Sequence, residues 1–289
     1  MNAVLLNTLK QLRLSGMSES LEIRLEEARG HQLSHAEFLE LVLADELAVR
    51  QQRAVDRRLK QAAFRDQRTL EDFDFSFNPS VPRRRVYDLA TGRFLREAHD
   101  VLLLGPPGVG KSHLCQALGY VLVKSGYTVL YRSIFDVVRD FPESSAFDGE
   151  DKTLSRYLEP DLLIIDDMGM KQLPKKSGEC LFEIILRRHE LRSTMMTSNR
   201  PLEDWGKLLC DVPAATAILD RFLERAELLQ ITGKSYRLRN RSAAASSVSE
   251  GSSSEVKTGQ SAHRVEGGAS TGKNPSREKK NKTREKKSR

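Results

Sequence analysis

Gly105-Pro106-Pro107-Gly108-Val109-Gly110-Lys111-Ser112 constrains this chain more than any other stretch. It fits the pattern G-x-x-x-x-G-K-[ST]. The apolar run Val101-Leu102-Leu103-Leu104 before it reads as a buried strand, and His113 to Lys124 after it reads as a helix. A glycine-rich turn between strand and helix points successive backbone N–H groups inward. Those donors and the positive end of the helix make a phosphate cradle. All eight residues are therefore candidate nucleotide ligands, with ATP and Mg2+ the expected occupants. Lys111 is placed to reach the β- and γ-phosphates, and the Ser112 hydroxyl to hold the metal ion.

A second strand supplies acids. Asp161-Leu162-Leu163-Ile164-Ile165-Asp166-Asp167 is an apolar run ending in two carboxylates, and it starts fifty residues after Lys111. A carboxylate at the C-terminal edge of a strand can hold Mg2+ opposite the loop hydroxyl, the role expected of Asp166. On an ordinary pleat the next side chain points the other way, towards bound water, so Asp167 is the candidate for polarising the attacking water. An Asp reaches less far than a Glu, which suits modest hydrolysis and a switch more than a fast motor. Thr194 to Asn199 forms a further strand with a polar tip, where Asn199 is the candidate for orienting water against the γ-phosphate.

The alternation of strands and helices from about Val86 to Arg239 predicts an α/β ATPase fold, a parallel sheet with helices on both faces. Expected strands are Asp100–Leu104, Val129–Arg132, Leu162–Asp166, Thr194–Ser198 and Leu228–Ile231, with a helix over Gly178–Arg192 among those between them. Residues 1–70 show helical periodicity and no strand pattern, which predicts a small all-α N-terminal domain of three or four helices. Ser18 is a candidate N-cap there, and Ser34 followed by Glu37 is a capping-box signature. Phe73, Phe75 and Phe77 lie in a proline-marked linker that either anchors to the core or lines the adenine side of the site. The ATPase domain is expected over 71–240.

The net charge of +7 belongs to the end of the chain. Arg241 to Arg289 holds 12 Lys/Arg against 5 Asp/Glu, and the other 240 residues carry 35 of each sign. Residues 241–289, poor in large apolar side chains, read as a disordered basic tail, with Arg277 to Arg289 a loose basic arm. A DNA-binding role for the body must therefore rest on local clusters. Arg50, Arg53, Arg57 and Lys60 recur at helical spacing and make either a phosphate-tracking stripe or a solvated face. No apolar run reaches membrane-span length and the N-terminus lacks an apolar signal region, so a soluble cytoplasmic protein is expected. Cys115, Cys180 and Cys210 lack metal-ligand spacing.

Taken in series, Gly105–Ser112, Leu162–Asp167, Thr197–Asn199, Ile218-Leu219-Asp220-Arg221 and Gly233-Lys234-Ser235-Tyr236-Arg237-Leu238 resemble the IstB-type transposition helper ATPases. These are AAA+ proteins related to DnaC-type helicase loaders. The resemblance runs N-terminally through Leu12-Arg13-Leu14-Ser15-Gly16-Met17, Phe38-Leu39-Glu40-Leu41 and Phe73-Asp74-Phe75, and so spans about residues 5 to 240. It implies an ATP-controlled helper encoded by an insertion sequence, which assembles as a homo-oligomer on duplex DNA and recruits or stimulates a partner transposase. It also implies that Arg221 reaches the nucleotide of a neighbouring subunit, with Arg225 a rival for that role, and that Arg237 senses the nucleotide in cis. Two alternatives share the same core, a helicase loader and a nucleotide-gated scaffold with little hydrolysis. Nothing after Arg239 is suited to a helical lid, so closure of the site would depend on a neighbour.

Overall fold

A computed structural model describes residues 3–141, 147–174 and 177–239. The expected tail, with its arm from Arg277 to Arg289, lies outside the described residues. The chain up to Ala243 is one compact unit.

Three helices open it: α1 (Ala3–Gln11), α2 (Ser15–His31) and α3 (His35–Ala62). The Ser34–Glu37 capping box is present at the start of α3. Ser18 does not cap α2, which begins three residues earlier with no side-chain cap of its own. Its first-turn N–H groups are satisfied instead from α3, where Glu46 Oε2 accepts from Gly16 N at 2.7 Å and Met17 N at 3.1 Å. A carboxylate suits the positive end of a helix, and Arg50 Nε holds the other oxygen at 2.7 Å. That long-range cap was invisible to a reading of local spacing.

Helices α4 (Arg83–Ala90) and α5 (Arg93–Arg96) lead into the α/β core. It runs β1 (Asp100–Leu104), α6 (Lys111–Lys124), β2 (Val129–Ser133), α7 (Ile134–Asp140), α8 (Phe147–Leu158) and β3 (Leu162–Met168). Then follow α9 (Ser177–Arg188), β4 (Ser193–Ser198), α10 (Trp205–Leu209), α11 (Val212–Glu224) and β5 (Ala226–Gln230). The five strands form one parallel sheet in the order β2-β3-β4-β1-β5. Continuous apolar runs suit strands covered on both faces. Alternate residues divide accordingly. Val101, Leu103, Ile164 and Met195 face α4 and α6, whereas Leu102, Leu163, Ile165 and Met196 face α7, α9 and α11.

Two expected elements shift. The helix predicted to Arg192 stops at Arg188, whose buried guanidinium turns back to donate to five oxygens of the chain around it. Nε donates to Thr194 Oγ1, Nη1 to the carbonyls of Tyr157, Leu158 and Pro160, and Nη2 to Ser193 O. The last strand sits two residues earlier than predicted at its start, because its register with β1 begins at Asp100–Ala226.

Candidate nucleotide site

The loop from Gly105 to Gly110 joins β1 to α6 at the C-terminal edge of the sheet, where parallel α/β folds gather their ligands. Gly108 takes φ 84°, a left-handed value, and a Cβ there would collide with Ser235 Oγ. Gly110 takes φ 104°, and its Cβ would stand 2.6 Å from Phe73 Cε2. The glycines thus serve a second purpose beyond turning the chain. They let the linker phenylalanine and the 233–238 segment close on the loop from two sides. Phe73 packs edge-on against Phe75 and His113, and Tyr236 N donates to Gly108 O at 2.9 Å. The linker therefore anchors to the core, at the loop itself.

Lys111 Nζ donates to Gly105 O at 2.8 Å and Pro106 O at 2.9 Å. Burial pushes its pKa down to about 8, against the opposing pull of Asp166 and Asp167, with Arg237 adding to the downward push. Ser112 Oγ donates to Asp166 Oδ1 at 3.0 Å, so the loop hydroxyl and the strand acid meet across 54 residues of chain. Asp166 is wholly buried. Its Oδ1 also accepts from Thr197 Oγ1, and its Oδ2 from Tyr131 Oη at 2.6 Å. Three hydroxyls, from three different elements, thus fix one carboxylate.

Asp167 departs from the expected pleat. It lies at a register irregularity between β3 and β4 and has φ 66°. A bulge of this kind re-aims the side chain instead of alternating it. Its backbone N–H is held by Thr197 Oγ1 at 3.2 Å, and its Oδ2 accepts from Arg65 Nη1 at 2.9 Å. Asn199, at the tip of β4, donates from Nδ2 to Met170 Sδ at 3.1 Å and from its backbone to Met168 O at 3.0 Å. Thr197, two residues earlier on the same strand, touches both acids.

Arg221 is on α11, about half exposed and 3.2 Å from Asp220. Arg225 caps the same helix and pairs with Glu190 at 3.3 Å. Arg237 lies in the turn Tyr236–Leu238, exposed to solvent. Sequence reasoning missed Tyr131, Thr197 and Arg65 as parts of this site. A tyrosine on a strand next to an acid-bearing strand was the one signal available for Tyr131.

A family model described as "IstB-like ATP binding protein" matches residues 7–244. The chain belongs to that family. The protein assigned as the ATP-binding protein of insertion sequence IS21 in Pseudomonas aeruginosa is 38% identical over 238 residues, covering 82% of this chain and 89% of the relative. Its counterpart in insertion sequence IS5376 of Geobacillus stearothermophilus is 34% identical over 231 residues, covering 80% and 92%. Among solved structures, the DnaC helicase loader matches with TM-score 0.44 and 24% identity over 51% of this chain and 86% of its own. AMPPCP-bound DnaA from Aquifex aeolicus matches with TM-score 0.49 and 21% identity over 64% and 56%. This family member carries a parallel five-stranded sheet with the glycine-rich loop at the C-terminal edge of its first strand. No helix among the described residues is long and apolar enough to cross a membrane.

Proposed function

We propose that this IstB-like protein is a Mg2+-dependent ATPase that binds duplex DNA and helps the transposase of its insertion sequence act on target DNA. The observation that carries the reading is the Ser112–Asp166 contact beside Lys111. A hydroxyl and a carboxylate at 3.0 Å are both hard oxygen donors, the set that suits Mg2+ when nucleotide oxygens and water complete its shell. Among the described residues no cluster of three or more His, Cys, Asp or Glu gathers, which fits a metal held partly by its nucleotide. Ser112 and Asp166 would hold it, and the ion would supply charge neutralisation across the β- and γ-phosphates.

The chain's own groups do the rest. The loop N–H groups and Lys111 bind the triphosphate, and Lys111 exchanges its two carbonyl partners for phosphate oxygens. Asp167 accepts the proton of the attacking water through its carboxylate, and Asn199 orients that water. Arg237 reads the bound nucleotide in cis. Arg221 is free enough of strong partners to reach a neighbouring subunit's nucleotide, so hydrolysis would require assembly into a homo-oligomer.

DNA binding has a candidate surface. A cleft of about 870 Å3 lies between the end of α3, the β2 edge and α8. Arg58, Lys60, Lys152 and Arg156 line it, against a single acid, Glu159. Local cation density of this kind suits a phosphate backbone. Arg50 and Arg53 are less available, being paired with Glu46 and Glu19.

The test compares wild type with Lys111→Ala and Asp167→Asn. Lys111→Ala is expected to lose ATP-dependent retention on duplex DNA, and Asp167→Asn to retain ATP binding but lose turnover. Hydrolysis by Asp167→Asn at the wild-type rate would refute the catalytic assignment. Addition of the partner transposase to DNA-bound wild type, with and without ATP, tests recruitment.

A further inference from the structure

Arg65 reaches the nucleotide site from outside the α/β core. Ala63 ends α3 with φ 54°, and the chain then turns inward. Phe64 packs into the core 6.1 Å from the Tyr131 ring, and Asp66 N donates to Gln116 Oε1 on α6 at 3.1 Å. Arg65 is held between these two anchors. Its Nη1 lies 2.9 Å from Asp167 Oδ2, across 102 residues of sequence. Its guanidinium also lies 6.0 Å from the centre of the Tyr131 ring, the same tyrosine that fixes Asp166. One arginine from the end of the helical segment therefore touches the candidate water-polarising acid and the residue that positions the metal-binding acid.

We propose that Arg65 is a positioning residue that latches Asp167, and that engagement of α3 with DNA releases the latch. The proposal rests on the ATPase reading above. A carboxylate with one oxygen committed to a guanidinium is restrained in orientation, and its Oδ2 is withdrawn from any water. The contact is suited to a reversible latch, because Arg65 is half exposed and Asp167 about a quarter exposed. Exposed ion pairs bias a population only weakly, by a factor of about two to five. The trigger is close at hand. Arg58 and Lys60 line the basic cleft within the last turns of the same helix, so phosphates drawn to them pull on the segment that carries Arg65.

The experiment measures steady-state hydrolysis by the full chain with and without duplex DNA, for wild type, Arg65→Ala, Arg65→Lys and Asp167→Asn. Arg65→Ala is expected to raise the DNA-free kcat about two- to fivefold with KM for ATP unchanged, and to shrink the stimulation by DNA by the same factor. Arg65→Lys should keep most of the restraint, and Arg65→Ala placed on Asp167→Asn should change nothing. A fall in kcat on Arg65→Ala, or an unchanged DNA stimulation ratio, overturns the latch. Asp167→Asn alone reports on the underlying reading: an active Asp167→Asn sinks that reading, whereas an inactive one with an unaltered Arg65→Ala sinks only the latch. An independent readout is amide hydrogen exchange at Asp66, whose N–H is bonded to Gln116. DNA with a non-hydrolysable ATP analogue should speed it, and unchanged protection would refute release.

Discussion

Tyr131 Oη donates to Asp166 Oδ2 at 2.6 Å from the strand beside the one that bears the acid. The pair is buried, and burial together with the neighbouring carboxylate pushes the phenol well above its ordinary pKa, so it stays a proton donor at any working pH. Asp166 is thus presented to Ser112 by a hydroxyl from the neighbouring strand.

Tyr131→Phe removes that donor and leaves a buried carboxylate oxygen without it. A lost hydrogen bond to a buried charged group costs about 1–3 kcal/mol. Urea denaturation should show a loss of that size. Mg2+-dependent ATP affinity should fall as well, while binding measured without Mg2+ should change little.

Lys111 gives a pH-dependent signature. Its folded pKa of about 8 lies below the ordinary lysine value, so the free protein releases this proton as pH rises through about 8. The unfolded chain still holds it up to ~10.4, so this group makes the fold gain stability between those values. A triphosphate favours the ammonium form. Nucleotide binding at pH 8.5 should therefore take up a proton, which calorimetry in buffers of different ionisation enthalpy detects. Lys111→Arg should abolish the uptake, since arginine stays charged.

Asp100, at the start of β1, gives the opposite sign. Burial pushes its carboxyl up to about 7, although it accepts from Thr194 N at 2.6 Å and feels the Arg188 and Arg225 charges. The folded protein holds a proton that the unfolded chain loses near ~4. Stability from this group is full below pH ~4 and falls as pH rises towards 7, by a few kcal/mol in order of magnitude. Asp100→Asn keeps the acceptor and should flatten denaturation midpoints over that window.

Arg188→Met should be among the most damaging substitutions away from the site. It strips five acceptors of their donor and leaves Asp100 with less compensating charge nearby. Removing one member of a buried charged network costs about 3–5 kcal/mol. Chemical denaturation should show this loss, and combining it with Asp100→Asn should cost less than the sum.

The sheet and the phosphate loop were legible because each is written locally. Apolar runs of strand length, a glycine-rich turn and a helix after it need no distant partner to be recognised. Asp166 was legible for the same reason. The irregular backbone at Asp167 was not legible, because a bulge depends on the register with β4 and leaves no mark in the strand's own residues. Thr197 and Tyr131 were missed because a hydroxyl inside an apolar strand gains meaning only from the neighbouring strand. Arg65 looked like one basic residue among several after α3. What distinguishes it is the turn at Ala63 and the anchoring of Phe64, which only the folded chain displays.

Helix α3 has 28 residues and so measures ~42 Å along its axis. One part of it is clasped by the Glu46 contact to α2, and its other end stops three residues short of Arg65. It is a rod on a pivot. A tilt of ~5° about that contact moves the end of the helix, ~24 Å away, by ~2 Å. Small rocking of the first three helices would thereby stretch the Arg65–Asp167 contact and bias the site by the modest factor that an exposed ion pair allows.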